Sequence, residues 1–206
     1  MRTFKRVIFI LFLVFTAVIQ AGTEKWTVSN LTFRGNNRYT ASTLRQTILT
    51  KPSSLFNTRT FHPDVFSDDI EALQQFYHAH GYLSATIDST VLKRDSLLQR
   101  IDISIYISEG PAYTLRSISY FNNRFASDST LRTLASLSTG NVFLQKKLNK
   151  TVESILRYYN NRGYLDTEIT PKAGIDDSTA FVDLDIKKKK KNRSIIGNIV
   201  IRGNKK

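Results

Sequence analysis

Phe76-Tyr77-His78-Ala79-His80-Gly81-Tyr82-Leu83 and, 82 residues later, Tyr158-Tyr159-Asn160-Asn161-Arg162-Gly163-Tyr164-Leu165 are two versions of one phrase. Ahead of the first, Phe66, Ile70, Leu73 and Tyr77 fall at spacings of four, three and four, and Leu148, Val152, Ile155 and Tyr159 repeat those spacings. An apolar stripe at this period is the inner face of an amphipathic helix. Glycine just past the stripe supplies the left-handed backbone on which helices end. Each phrase therefore closes a long helix, over 62 to 80 in the first copy. Further out, Asn36-Asn37-Arg38 returns as Asn122-Asn123-Arg124 after 86 residues, and Arg34-Gly35-Asn36 returns as Arg202-Gly203-Asn204 after 168. Self-similarity at a fixed interval marks a repeat architecture. Two complete units and the start of a third are written in the chain.

The rest of each unit follows from periodicity. Val28, Leu31 and Phe33 mark a short strand closed by the turn signal Gly35-Asn36. Residues 40 to 49 read as a short helix capped by Thr40 or Ser42, with Leu44, Ile48 and Leu49 inward. After the long helix comes a β-rich segment from Tyr82 to Val91, and then Ile101, Ile103, Ile105 and Ile107 alternate with Asp102, Ser104, Tyr106 and Ser108. Period-two alternation is a strand with one buried face. In the second unit Leu115, Ile118 and Tyr120 form the first strand, and Leu131, Leu134 and Leu137 the short helix. Tyr164 to Thr170 and Ala180 to Ile186 form the closing hairpin. The order is β-α-α-β-β, an α+β unit whose three-stranded sheet is covered on one face by two helices, because every element has a single apolar face to hide.

The ends of the chain differ from its body. Of the 30 Lys and Arg residues, three lie in residues 1 to 21 and nine in 187 to 206, which leaves 18 against 17 Asp and Glu in between. The formal charge of +13 is thus a property of the two termini, and a nucleic-acid surface across the body is excluded. Arg2, Lys5 and Arg6, the apolar run Val7 to Phe15 and the small residue Ala21 describe a secretory signal peptide, with an uncleaved membrane anchor as the alternative. Either way, the rest of the chain is exported. The absence of cysteine excludes disulfides, thiolate chemistry and cysteine-ligated zinc. The chain divides into a signal peptide over 1 to 21, a first domain over 25 to 110, a second over 111 to 188, and a basic linker with the truncated start of a third over 189 to 206.

Leu31-x-Phe33-x-Gly35-Asn36, the long helix ending in Gly81-Tyr82, the junction Ser108-Glu109-Gly110-Pro111-Ala112-Tyr113, the second Arg162-Gly163-Tyr164-Leu165 and the terminal Ile199-x-Ile201-Arg202-Gly203-Asn204 together resemble the POTRA (polypeptide-transport-associated) repeats of BamA- and TamA-type outer-membrane assembly proteins. The resemblance covers nearly everything after the signal peptide. It implies tandem domains in the periplasm, ahead of a carboxy-terminal outer-membrane β-barrel for which this chain has no room, so the chain reads as a fragment of a longer protein. It also implies unfolded outer-membrane protein clients, with accessory lipoproteins or periplasmic chaperones as further partners. Two departures stand out. Phe121 stands where the first turn usually has glycine, and Lys187 to Lys191 with Asn192-Arg193 replaces Glu-Gly-Pro at the second junction.

The implied chemistry is β-augmentation, in which an extended client adds a strand to a sheet edge and main-chain hydrogen bonds supply the affinity. The second strand of each unit is the candidate edge: Tyr82, Ser84, Thr86 and Ile87 in the first, and Tyr164, Asp166, Thr167 and Glu168 in the second. Ser84, Thr86 and Asp88, with Asp166, Thr167 and Glu168, keep these strands polar enough not to pair with themselves. An ordinary structural strand is the plainer account of either. Lys187, Lys188, Lys189, Lys190, Lys191 and Arg193 form a candidate site for polyanions or anionic lipid, against the blander reading of a solvated linker. His78 and His80 lie two apart on a helix and point different ways, and His62 has no evident partner. Asp68-Asp69 and Asp176-Asp177 are sequence neighbours that diverge on a helix or serve turns. No motif for a metal, a cofactor or a catalytic nucleophile is present. The chain reads as a binding scaffold, not an enzyme.

Overall fold

The computed structural model describes residues 25–189. The signal-peptide reading, Lys190, Lys191, Arg193 and the start of a third unit lie outside them. Among the described residues no helix is long and apolar enough to cross a membrane. The elements run β1 (Thr27–Arg34), α1 (Ala41–Thr47), α2 (Pro63–Ala79), β2 (Thr86–Asp95) and β3 (Arg100–Ser108), then β4 (Thr114–Phe121), α3 (Asp128–Leu134), α4 (Gln145–Asn160), β5 (Glu168–Asp176) and β6 (Phe181–Lys189). The two sheets are ordered β1-β3-β2 and β4-β6-β5, so the last strand of each unit is central. It pairs in parallel with the first strand and antiparallel with the second.

The isoleucine alternation explains why β3 takes the centre. Ile101, Ile103, Ile105 and Ile107 are all buried, under Leu44 and Ile48 from α1 and its end and under Phe66, Leu73 and Tyr77 from α2. Val182, Leu184 and Ile186 of β6 do the same beneath Leu131, Leu148, Ile155 and Tyr159. The short helices are capped alike. The Thr40 hydroxyl accepts the Thr43 N–H at 3.2 Å and the Ser127 hydroxyl accepts the Thr130 N–H at 3.2 Å.

Several expectations need correction. Tyr82 and Tyr164 do not begin strands. Gly81 N–H donates to the His78 carbonyl and Tyr82 N–H to the Tyr77 carbonyl, and Gly163 and Tyr164 repeat this onto Asn160 and Tyr159. This is the double-bonded helix stop in which the second residue past the cap folds back on the last turn. The Tyr82 ring meets Tyr77 edge-on at 6.1 Å, and Tyr164 meets Tyr159 at 6.0 Å. The repeated Gly-Tyr phrase is therefore helix termination with an aromatic lock, and the strands begin four residues later. Leu49 is 73% exposed because α1 ends at Thr47, and the Leu49 and Thr50 N–H groups beyond it donate to Asp69. Leu137 is buried but lies beyond α3. Phe121 is the last residue of β4, and Asn122, at φ +62°, takes the left-handed place that Gly35 fills at φ +84°. Asparagine tolerates that conformation where other side chains do not. Lys187, Lys188 and Lys189 belong to β6, not to a linker.

Gly81 also joins the two units. Its carbonyl accepts the Tyr113 N–H at 2.8 Å, and a Cβ placed on it would lie 2.5 Å from Val142 Cγ1 and 2.8 Å from the Phe143 carbonyl oxygen. With φ at +91°, Gly81→Ala meets both strain and a neighbour. The substitution is expected to cost about 1 to 2 kcal/mol from backbone strain alone and to loosen the contact between the units. Hydrogen exchange at the Tyr113 amide reads the second effect, and unchanged protection there would refute it.

Candidate functional site

A three-stranded sheet has two edges, and the fold treats them differently. Along the start of β1, Val28 N–H donates to the Arg59 carbonyl, Ser53 N–H to the Val28 carbonyl and Phe61 N–H to the Trp26 carbonyl, at 2.9, 2.8 and 2.7 Å. Arg45 donates to the Leu31 carbonyl at 2.9 Å. The segment between α1 and α2 folds back to cover this rim. The second unit copies the device. Leu115 N–H donates to the Asn141 carbonyl, Gly140 N–H to the Leu115 carbonyl and Phe143 N–H to the Tyr113 carbonyl. The opposite rims, β2 and β5, receive no backbone hydrogen bond from outside the sheet among the described residues. Each unit thus presents one covered margin and one bare one, and a bare margin is a template for another strand.

The two bare margins are not equal. β2 runs ten residues, Thr86–Asp95, without a proline, and most of it is exposed. β5 contains Pro171, paired with Ile186. Proline has no N–H and sits in a sheet only where that donor would face away from the ladder, so the free side of β5 lacks a donor at its middle. β2 also has a bulge between Ile87 and Ser89, near which the Asp88 carboxylate takes hydrogen bonds from the Ser108 and Thr86 hydroxyls. These bonds hold its carboxyl below the ordinary range.

Of the residues singled out from sequence, Thr86 and Ile87 open β2, and Glu168 opens β5 with its carboxylate 2.7 Å from Lys189 Nζ. Tyr82 and Ser84 lie in the turn before β2. Tyr82 packs against Tyr39 and Tyr77, and the Ser84 hydroxyl sits where a Cβ on Gly110 would fall, at 2.3 Å. Tyr164, Asp166 and Thr167 lie in the matching turn, with Tyr164 packed on Phe125 at 4.9 Å. The strands carry their bare edge further along than the sequence reading placed it, through Ser89 to Asp95 and Thr170 to Asp176. A signal was available. Asp95-Ser96 begins the hairpin turn, where the Asp95 carboxylate accepts the N–H groups of Leu97 and Leu98, and counting back from that turn sets the strand.

The lysine run is engaged as far as it is described. Lys187 Nζ stands over the Phe121 ring at 5.5 Å. Lys188 is buried with Nζ over Tyr159 and Tyr164 at 5.0 and 5.4 Å. Lys188 takes the strand position that Ile107 holds in the first unit, where the matching tyrosine is met instead by Glu109, a buried carboxylate that accepts the Tyr77 hydroxyl at 2.9 Å and the Arg38 N–H at 3.0 Å. Burial, with that bond added, pushes the Tyr77 hydroxyl upward in pKa. Across the covered rim of β4, Arg116 and the Ser117 hydroxyl hold the Asp183 carboxyl down to about 2. Because the folded value lies below the unfolded one, this stabilisation is complete above the unfolded carboxylate pKa and disappears as pH falls through about 2. Carboxyl chemical shifts followed against pH check it, and an Asp183 midpoint at the ordinary 3.8 would contradict it.

A family model described as surface antigen variable number repeat, POTRA, matches residues 26–110 and again 113–190. The chain belongs to the POTRA family. Its POTRA units are 25% identical over 154 residues to the outer membrane protein assembly factor BamA of Buchnera aphidicola, covering 73% of this chain and 24% of that protein. A putative outer membrane protein assembly factor of Treponema pallidum is 21% identical over 191 residues, covering 91% of this chain and 23% of that one. The chain therefore spans about a quarter of the length of these relatives. Among solved structures, POTRA domains 3 to 5 of Haemophilus influenzae BamA superpose with a TM-score of 0.58 at 22% identity, over 85% of this chain and 70% of that one. BamA of Haemophilus ducreyi lacking POTRA domains 1 to 3 gives 0.60 at 21% identity, over 81% and 30%. These likenesses show the α+β POTRA fold.

Proposed function

We propose that the two POTRA units are periplasmic polypeptide-binding repeats of an outer-membrane β-barrel assembly or translocation factor, and that β2 of the first unit is the margin on which an unfolded client adds a strand. The observation that carries this reading is the asymmetry of the rims. One edge of each sheet is closed by the chain's own loop, and β2 alone of the two bare edges offers ten residues uninterrupted by proline. Main-chain bonds supply affinity without demanding a particular sequence, which suits a site shared by many unfolded clients. The relatives, assembly factors of the outer membrane by name, support the parent role, an outer-membrane location and accessory partners. The polyanion reading of the lysine run is not favoured, because Lys187, Lys188 and Lys189 are occupied by a ring face, by burial and by Glu168.

The test is a titration of the chain with an extended peptide of alternating apolar and polar residues, followed by amide chemical shifts. Shifts should concentrate between Thr86 and Asp95. Successive N–H groups of an edge strand point alternately toward and away from the sheet, so one of Thr90→Pro and Val91→Pro removes an outward donor and keeps the ladder. That variant should stay folded and bind about tenfold more weakly. Binding that survives in both variants, or that moves only β5 or the helices, would sink the reading.

A further inference from the structure

The end of the first unit where β1 begins carries four apolar side chains with nothing to cover them. Leu55 and Phe56 are 96% and 99% exposed, and Leu97 and Leu98 are 96% and 59% exposed. Both pairs sit at loop tips anchored to the same end of the sheet. Thr27 N–H donates to the Gln99 carbonyl beside one tip, and Ser53 N–H to the Val28 carbonyl beside the other. Scattered exposed apolar residues are ordinary, but four at adjoining tips are not. The tips are held, too. Ser54 and Asn57 exchange backbone bonds of 2.9 and 3.2 Å around Leu55-Phe56, and the Asp95 carboxylate clamps the Leu97 and Leu98 amides.

The second unit shows that this is not required by the fold. Its hairpin tip reads Asp176-Asp177-Ser178-Thr179, and the segment between its helices, residues 135–144, is five residues shorter than residues 48–62 of the first unit. The extra length of the first segment is the part that carries Leu55 and Phe56.

The charge around the tips selects the occupant. Arg100 lines a cleft of about 790 Å³ together with Leu55, Phe56 and the hydroxyls of Thr27, Ser53 and Thr58. Lys25, Arg59 and Arg94 stand at the same end of the sheet, Arg94 over the Trp26 ring at 5.7 Å, and none of these four cations makes an ion pair among the described residues. Of the acids nearby, Asp95 accepts the amides of its own turn and Asp102 lies opposite Lys93, and neither forms an ion pair with these cations among the described residues. Apolar tips ringed by cations and hydroxyls match the interface of an anionic bilayer, where side chains enter the acyl boundary and cations meet phosphates. We infer that this end of the first unit seats on an anionic phospholipid surface, with Leu55, Phe56, Leu97 and Leu98 inserted and Arg100 at the headgroups.

The chain has no cysteine, so a single introduced one takes a label uniquely. Leu55→Cys, Leu97→Cys and Ser178→Cys, each in the full chain and each carrying a nitrobenzoxadiazole fluorophore, are mixed with vesicles of phosphatidylcholine with phosphatidylglycerol, or of phosphatidylcholine alone. Labels at 55 and 97 should brighten with the anionic vesicles and be quenched by brominated acyl chains, while the label at 178 stays unchanged. Phe56→Ser with Leu98→Ser should weaken the response at position 97 at least about tenfold. Co-sedimentation without a response at 55 and 97, an equal response at 178, or equal binding to neutral vesicles overturns the inference. So does a response at 55 to an apolar unfolded peptide but not to vesicles, which would make this end a protein-docking surface. The Thr90→Pro and Val91→Pro variants should bind vesicles unchanged, which separates this surface from the strand-accepting edge.

Discussion

Gly35→Ala is expected to unfold the first unit under conditions in which the second stays folded. The residue sits at φ +84°, and a Cβ there would lie 2.0 Å from the carbonyl oxygen of Ile107. That oxygen belongs to the central strand, which is paired on both sides and anchored by the buried Ile105 and Ile107 side chains, so neither partner can retreat. Left-handed strain and a backbone clash together should cost about 3 kcal/mol or more, a large share of what holds a domain of this size together. Trp26 is the chain's single tryptophan and packs on the first core, so its fluorescence reports that unit alone during denaturation. Hydrogen exchange in β6 reports the other. Asn122→Ala, at the matching turn with φ +62°, should cost about 1 kcal/mol, because the native residue already accepts that backbone. A Gly35→Ala chain within 1 kcal/mol of the parent would show that the turn does not approach Ile107 as described.

The second large effect is expected from Asp69→Ala. Asp69 is 2% exposed, and its two carboxylate oxygens accept the N–H groups of Leu49 and Thr50 at 2.6 and 2.7 Å. Removing the carboxylate leaves the buried Thr50 donor and the part-buried Leu49 donor without partners, at an expected cost of about 3 kcal/mol. Asp69→Asn keeps one carbonyl oxygen and should recover roughly half of that. The second unit solves the same problem with Thr151, whose hydroxyl accepts the Ser136 N–H at 2.9 Å and donates to the Lys147 carbonyl at 2.8 Å. Thr151→Val should therefore cost only about 1 kcal/mol. Denaturation midpoints rank the three variants, and exchange at the Leu49 and Thr50 amides identifies the cause. Equal losses for Asp69→Ala and Thr151→Val would argue that the carboxylate is a bystander.

The helices and the central strands were readable from residue types because each hides one face, and Phe66, Leu73 and Tyr77 or Ile101, Ile103 and Ile105 carry that face at the period of their element. Tyr82 and Tyr164 misled because tyrosine favours strands, while here the ring locks a helix stop that only the backbone bonds to Tyr77 and Tyr159 define. The role of Asp69 was not legible, since its partners lie 19 and 20 residues away. Which rim stays bare was not legible either. It depends on residues 53 to 61 folding back onto β1, a contact set by tertiary packing and not by local pattern. Pro171 could have been used, because a proline inside a strand points to an edge and to the side of it that lacks a donor.

Tyr77 and Tyr159 are matching tyrosines near the ends of the two long helices, and the first is met by an anion, Glu109, held by a phenol and an amide, while the second is met by a cation, Lys188, resting on two rings. An ammonium beside Tyr77 would face the Arg38 amide with donors only, and a carboxylate set over Tyr159 and Tyr164 would press against electron-rich faces that repel it. Copies of this module are consequently not interchangeable beads. The same aromatic corner is closed by a negative charge in one unit and by a positive charge in the other, so a helix end transplanted between them would meet the wrong sign.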